Sequence, residues 1–283
     1  MKVLVTGANG MVARATIEHC AARGDEVFAH DHQSLDITDE ANVRETFARE
    51  RPDAVINCAA WTDVDACESD AERAYRVNAR APELLAASCR RVGAALVTIS
   101  TDYIFDGTKE GFYTQRDDPN PASVYGAAKL QGERLAQAAS ARTTVVRTGW
   151  IFGRGGTNFL ATVIERARRG ERLKAISDMY GTPTYAKDLA ARLRALAELD
   201  LPGVYHVING GAGTSFEEFA RAAVEVSGCK GVELECVSAS SLRRPAPRPI
   251  NSCLRCLISE AVGLAPMRDW REALADFAAT SAE

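Results

Sequence analysis

No stretch of this 283-residue chain reaches the roughly 18 consecutive apolar residues that a membrane-spanning helix needs. Met1-Lys2 runs directly into Val3-Leu4-Val5, with no charged leader, apolar core or cleavage site of a secretion signal. A basic stripe is also missing: 34 Lys and Arg stand against 38 Asp and Glu, for a net charge of -4 and a pI of about 5.7. Nucleic acid is therefore not an expected partner, and neither is a membrane. There is no internal repeat and no low-complexity tail. What remains is the expectation of a soluble, cytoplasmic protein, whose 46% hydrophobic content suffices for one large domain or two smaller ones.

Cysteine is scattered rather than patterned. Cys20, Cys58, Cys67, Cys89, Cys229, Cys236, Cys253 and Cys256 fall mostly in apolar segments, which reads as reduced, buried thiols. Cys253-Leu-Arg-Cys256 is a lone CxxC whose nearest companions, Cys229 and Cys236, stand at poor zinc spacing, so no metal is expected.

What is present is an alternation of short apolar strands with helical segments. Lys2–Thr6 reads as a strand, followed at once by Gly7-Ala-Asn9-Gly10-Met11-Val12-Ala13 and a helix to about Arg23. In this order Gly7 permits a tight turn and Gly10 a close approach of backbone to a pyrophosphate. Ala13 permits helix–strand packing, and the helix N-terminus favours the anion. Asp31 follows a second strand, Glu26–His30, about 20 residues after the glycines. A carboxylate there can bind ribose hydroxyls and repel a 2′-phosphate, or can be a solvated loop acid. A third strand, Asp53–Asn57, leads into the small residues Cys58, Ala59 and Ala60, past which a dinucleotide could run.

A helix is expected over Asp70–Val92, with Asn78 bonded to a neighbouring strand. A fourth strand, Ala94–Ile99, then delivers Ser100-Thr101-Asp102-Tyr103. After a Gly/Pro/Asp-rich loop, a helix from Ser123 carries Tyr125 and Lys129 at i and i+4, on one face. An ammonium at about 4 Å could supply roughly the 4 kcal/mol needed to bring a phenol from about pH 10 to about pH 7. The spacing alone is weak, since Tyr-x-x-x-Lys arises by chance in chains of this composition. Its weight comes from the glycine turn and the strand before it. Thr143–Thr148 completes the alternation, which argues for a parallel sheet with helices on both faces and a ligand at the strands' carboxyl ends.

Beyond Gly149 the alternation breaks. Helices are expected over 157–169, 186–199, 215–226 and 267–278, a strand over 203–208, and loops over 176–185 and the proline-rich, basic 243–252.

Gly7-x-x-Gly10-x-x-Ala13, Leu35–Asp39, Arg51–Ala60, Thr62–Asp65, Ser100–Gly107, Val124-Tyr125-Gly126, Lys129-Leu-x-Gly-Glu133, Arg147-Thr-x-Trp150, Gly153–Gly156, Asn158-Phe159, Gly181–Ala186, Arg248-Pro-x-Asn-Ser252 and Asp269–Ala273 occur in order. Together they resemble the extended short-chain dehydrogenase/reductases and, within them, the dTDP-4-dehydrorhamnose reductase branch. Departures from that branch are Met179 where a glutamine is usual and Arg255 where an aspartate is usual. Ala15 replaces a glutamate that in some members helps bind magnesium at a dimer contact, so the resemblance brings no metal here; a homodimer stays open.

The resemblance implies an α/β, Rossmann-like doubly wound parallel sheet with a smaller C-terminal α/β substrate-binding domain. Residues 1–150 plus about 186–208 would bind the dinucleotide, and about 151–185 plus 209–283 the nucleotide sugar. It implies NADPH or NADH as cofactor and reduction of the 4-keto group of a nucleotide-diphosphate 4-keto-6-deoxy sugar. Thr101, Tyr125 and Lys129 would be catalytic. Gly7, Asn9, Gly10, Met11, Val12, Asp31, Cys58, Ala59 and Ala60 would hold the cofactor with Tyr125 and Lys129. Asp102, Tyr103 and Trp150 would meet the sugar, and Asn158 and Arg248 the diphosphate. The residues leave open that Trp150 is core, that Asn158 is a helix cap and that Arg248 lies in a solvated connector. Two other functions fit the same residues: a reductase of another nucleotide deoxysugar, and a non-catalytic NADP(H)-binding regulatory subunit.

Overall fold

The computed structural model describes residues 1–156 and 158–280. In chain order, β1 (Lys2–Thr6), α1 (Met11–Ala22), β2 (Glu26–His30), α2 (Glu40–Glu50) and β3 (Ala54–Asn57) come first. Then follow α3 (Val64–Ser69), α4 (Ala71–Tyr75), a π-turn over Arg76–Arg80, α5 (Ala81–Val92), β4 (Ala95–Thr101), α6 (Val124–Ala139) and β5 (Thr143–Thr148). The remainder is β6 (Ile151–Phe152), α7 (Phe159–Arg168), β7 (Leu173–Ile176), β8 (Tyr180–Gly181), β9 (Thr184–Tyr185), α8 (Ala186–Leu199), β10 (Gly203–His206), β11 (Thr214–Ser215), α9 (Phe216–Val226), β12 (Leu234–Val237) and α10 (Trp270–Thr280).

The main sheet runs β2-β1-β3-β4-β5-β10, with its strands paired in parallel. Strands covered by helices on both faces must be apolar along their whole length. Accordingly Val3, Leu4, Val5, Val55 and Ile56 are fully buried. The chain steps from β1 outward to β2 and returns to β3 on the other side of β1. Crossovers that diverge in this way open a crevice above the strands' carboxyl ends. Beneath it the Thr6 hydroxyl donates to Asn57 at 2.7 Å, and the Asn57 amide donates to Thr98 at 3.0 Å. This buried polar row ties the ends of β1 and β3 to the middle of β4.

After β5 the chain leaves the sheet, returns as α8 against α1, and adds β10 at the edge beside β5. The excursion and the C-terminal segment build a second apolar core around Phe152, Leu160, Phe219, Trp270 and Phe277, with β7 and β12 paired alongside. The architecture is the expected Rossmann-like α/β fold. Among the described residues, no helix is long and apolar enough to cross a membrane.

Several elements differ from expectation. The helix expected from 70 to 92 is interrupted by the π-turn. Asn78 within it bonds the loop after β3 rather than a strand, donating to the Trp61 carbonyl and accepting from the Trp61 amide, each at 2.9 Å. The loop expected over 176–185 contains β8 and β9, which pair with β11 and β6. Pairing partners so distant in sequence leave no local periodicity. Thr157, the expected first residue of a helix, lies outside the described residues; α7 begins at Phe159.

The π-turn also explains Gly132. A side chain there would strike the Asn78 main-chain carbonyl, which approaches α6 directly. Although alanine favours a helix, Gly132→Ala should destabilise the protein by about 1–3 kcal/mol, the range for forced overpacking. A lower urea midpoint with unchanged slope is the expected readout.

Candidate active site

The end of β4 and the start of α6 meet at the crevice. The Thr101 hydroxyl accepts from the Tyr103 amide at 3.1 Å and lies 3.0 Å from Asp102 Oδ1, to which it donates. Ser123 caps α6 by accepting from the Gly126 amide at 3.1 Å. Gly126 allows the helix to seat on the turn at 102–104, because any side chain would strike the Tyr103 carbonyl. Tyr125 is thereby held edge-on to Tyr103, with ring centroids 6.1 Å apart, and its phenol is hydrogen-bonded to Thr101.

One turn further on, Lys129 Nζ donates to the Ile99 carbonyl at 2.6 Å. Burial lowers the Lys129 pKa to about 8, with the Glu133 carboxylate pulling the other way. Burial also pushes the Tyr125 phenol up, and the Thr101 hydrogen bond opposes this. The expectation that Lys129 draws the phenol down to neutrality is thus corrected. One N–H of the ammonium is used on the Ile99 carbonyl, and burial outweighs any pull of the cation on the phenol, which keeps the proton a donor must carry. Asp102 is 3% exposed. Its carboxyl is raised to about 6, chiefly by burial, against the approach of the Ser252 hydroxyl and the Thr101 hydrogen bond.

These groups line one cleft of about 410 Å³, together with Val12, Cys58, Ala59, Ala60, Tyr103, Lys129 and Trp150. Its rim fits a dinucleotide. Gly7 has φ 71°, and a Cβ there would lie 3.0 Å from the Ala59 backbone. Gly10 precedes α1 without any side-chain cap, so the first amides of α1, from Met11 and Val12, are free for an anion. At the end of β2, Asp31 accepts from Asn9 at 2.9 Å and from the Gln33 and Ser34 amides at 3.1 and 3.0 Å. Those bonds, led by Ser34's, hold its carboxyl below the ordinary range. Asp31 is an ionised, oriented group facing Asn9 of the glycine turn.

Trp150 forms a wall of the cleft rather than core. Its backbone is left-handed, at φ 48°, a strained conformation for a bulky residue. Its indole stacks on Phe216 with centroids 3.7 Å apart and lies against Gly181, where any side chain would strike the ring.

Two expected ligands of the diphosphate lie outside the cleft. Asn158 is a helix cap: Oδ1 accepts from the Ala161 amide at 3.0 Å, and Nδ2 donates to the Gly153 and Gly156 carbonyls at 2.9 and 3.3 Å. Both amide hydrogens are committed, so none is left for a phosphate. Arg248 grips both oxygens of Asp65 at 2.5 and 2.8 Å and the Ala246 carbonyl at 2.7 Å. It clasps the 243–252 loop to α3 rather than pointing into the cleft. Met179 is buried, and the Arg255 guanidinium sits 4.1 Å over the Phe112 ring; neither departure touches the cleft. All eight cysteines are free, and Cys236 is exposed, against the buried reading.

Two residues escaped the sequence reading. Glu133 accepts from the Ser100 hydroxyl and from Arg147, whose Nη2 is 2.7 Å away. Its signal was available: a carboxylate four residues beyond Lys129, on the buried face of α6. Phe216 lines the cleft. Its place at the start of α9 follows from the Ser215–Glu218 capping box, but its contact with Trp150 has no sequence signal.

A family model described as the RmlD substrate binding domain matches residues 1–282. A dTDP-4-dehydrorhamnose reductase from Mycolicibacterium smegmatis is 40% identical over 278 residues, covering 97% of this chain and 84% of that one. The crystal structure of a dTDP-4-dehydrorhamnose reductase from Clostridium acetobutylicum superimposes with a TM-score of 0.96 at 37% identity, covering 100% of both chains. That of the reductase from Bacillus anthracis, solved in complex with NADP, gives 0.94 at 34% identity, covering 98% of both.

Lys129 should carry its charge below about pH 8 and lose it as pH rises through that value. The titration should appear in the Lys129 side-chain carbon shifts by NMR, and Glu133→Gln should move it to lower pH, because the carboxylate favours the cation.

Proposed function

The chain belongs to the RmlD substrate binding domain family, and on that premise we propose that it reduces the 4-keto group of dTDP-4-dehydro-L-rhamnose, giving dTDP-L-rhamnose, with NADH or NADPH. The observation that carries this reading is the convergence of the Thr101 hydroxyl, the Tyr125 phenol and the Lys129 ammonium in the cleft bounded by Val12 and Cys58–Ala60. The reduced nicotinamide supplies the hydride.

The residues supply the rest. Tyr125 gives its proton to the ketone oxygen as the C–O bond becomes an alkoxide, acting as general acid. Thr101 donates a hydrogen bond to the same oxygen, where negative charge develops. Lys129 places a cation one helical turn away and so stabilises the phenolate left behind. Trp150 covers the sugar ring, and Tyr103 walls the side of the cleft next to Tyr125. Gly7, Gly10 and the open N-terminus of α1 receive the cofactor's pyrophosphate, and Asp31 the adenosine ribose.

For the nucleotide end, a recess next to the cleft supports a position other than the one the sequence suggested. Phe216 lines both the catalytic cleft and a neighbouring recess of about 360 Å³, which also contains Phe159, Lys174 and Arg244. Aromatic rings for a base, with Lys174 and Arg244 as cations for a diphosphate, support this recess as the place of the nucleotide.

Oxidation of NADH and of NADPH should be followed with a panel of 4-keto nucleotide sugars. Fastest turnover with dTDP-4-dehydro-L-rhamnose supports the reading, and turnover of none of the panel removes it. Tyr125→Phe should lower kcat by about 10²–10⁴-fold with cofactor affinity within about threefold of the parent. Arg244→Ala should raise KM for the nucleotide sugar more than it lowers kcat, as expected for binding shared by ground and transition states.

A further inference from the structure

Asp102 is an acid without an ordinary carboxylate environment. Oδ1 faces the Thr101 hydroxyl at 3.0 Å. Oδ2 is sealed from solvent and makes no regular hydrogen bond, although the Ser252 hydroxyl approaches the carboxyl. Gly149 packs so tightly against Oδ2 that any side chain there would strike it. An ionised carboxylate with one buried, unpaired oxygen is expensive, whereas a neutral carboxyl leaves only a carbonyl oxygen unpaired.

Hydrogen counting at Thr101 sharpens the point. Its hydroxyl has one hydrogen and two lone pairs. The Tyr103 amide occupies one lone pair, and the Tyr125 phenol, bonded to Thr101 while the cleft is empty, turns instead to the ketone oxygen that it protonates. If Asp102 is ionised, the single hydrogen must go to Oδ1, and none remains for a ketone oxygen in the cleft. If Asp102 is neutral, its own O–H can donate to Thr101, filling the second lone pair and releasing the Thr101 hydrogen.

We propose that Asp102 works as a neutral acid, a positioning residue that donates to Thr101 and thereby turns the Thr101 hydroxyl toward the substrate's ketone oxygen. Asp102 keeps its proton throughout; the proton added to the product comes from Tyr125. The inference rests on the reading of Thr101 as a donor to that ketone. It gives Asp102 a task other than contacting the sugar.

Groups facing Asp102 do not obscure its titration. Tyr103 and Tyr125 on the adjoining turn and helix, and Cys253 on the 248–253 segment, are all shifted upward. Arg248, paired to Asp65, lies beyond Tyr103 and stays charged. Lys129 loses its charge near pH 8. A break near pH 6 therefore belongs to Asp102.

The test is kcat/KM for dTDP-4-dehydro-L-rhamnose from about pH 5 to about pH 9. In the parent it should fall roughly tenfold per pH unit above the Asp102 break, because this parameter reports the free enzyme. In Asp102→Asn, whose amide donates at every pH, that break should vanish, leaving the later one set by Lys129. A variant profile that keeps the parent's break, or a parent profile without one below that of Lys129, overturns the proposal.

Isotope-edited infrared spectra of the parent labelled with carboxyl-¹³C aspartate give a readout that needs neither turnover nor a folded variant. A protonated-carboxyl band that disappears through the same break supports the proposal. A protein that turns over without this band overturns the proposal alone. A protein that shows the band but reduces no 4-keto sugar overturns the functional reading beneath it.

Discussion

A buried ion pair holds the groups that line the cleft in one frame. Glu133 on α6 takes the Arg147 guanidinium from β5 and the Ser100 hydroxyl from β4, with both charged side chains nearly sealed from water. Each partner stands next to chemistry. Ser100 precedes Thr101, Glu133 lies one turn beyond Lys129, and Arg147 precedes the Thr148-Gly149-Trp150 corner. Burying two charges gives little net stability, but removing one partner strands the other at a cost of about 3–5 kcal/mol. The three elements are therefore locked in register.

Above that frame, positions that accept no side chain set the shape of the cleft. Gly126 lets α6 touch the turn at 102–104, Gly149 admits the Asp102 carboxyl, and Gly181 receives the Trp150 indole. In each case the neighbour is backbone, a buried carboxyl or a stacked ring, which cannot move aside cheaply. The Thr101 hydroxyl and the Tyr125 phenol are bonded to one another, and the elements that carry them and Lys129 are fixed by packing. Lys129 in particular is anchored on a main-chain carbonyl and not on the phenol.

The sheet and the crevice were legible because they depend on local patterns. Apolar runs of strand length, Gly7 and Gly10 after the first of them, and the i, i+4 pair Tyr125 and Lys129 each declare themselves within a few residues. Other placements depend on partners far away in sequence. Nothing near Arg248 announces that Asp65 will take both of its arms, whereas Asn158 closes on Gly153, Gly156 and Ala161, all within five residues, and its role as a helix cap was open to a local reading. The short strands β8 and β9 exist only because β11 and β6 meet them. Asn78 was legible as a polar residue with a structural task, but its partner, the Trp61 backbone, was not. Lys129 was legible as a residue of the site, whereas the direction in which burial would shift its neighbour Tyr125 was not, because burial is a property of the assembled fold.

The position of β10 has a consequence for how the molecule comes into being. Its partner β5 is complete at residue 148, yet β10 comprises residues 203–206. As the chain emerges from a ribosome, one side of β5 must wait with its amides and carbonyls unpaired while residues 149–202 are made. An open strand edge of this kind is a template for pairing with other chains. The nascent protein therefore passes through an interval in which its main sheet is nearly finished but still adhesive. That interval closes when β10 docks, ahead of the last quarter of the polypeptide.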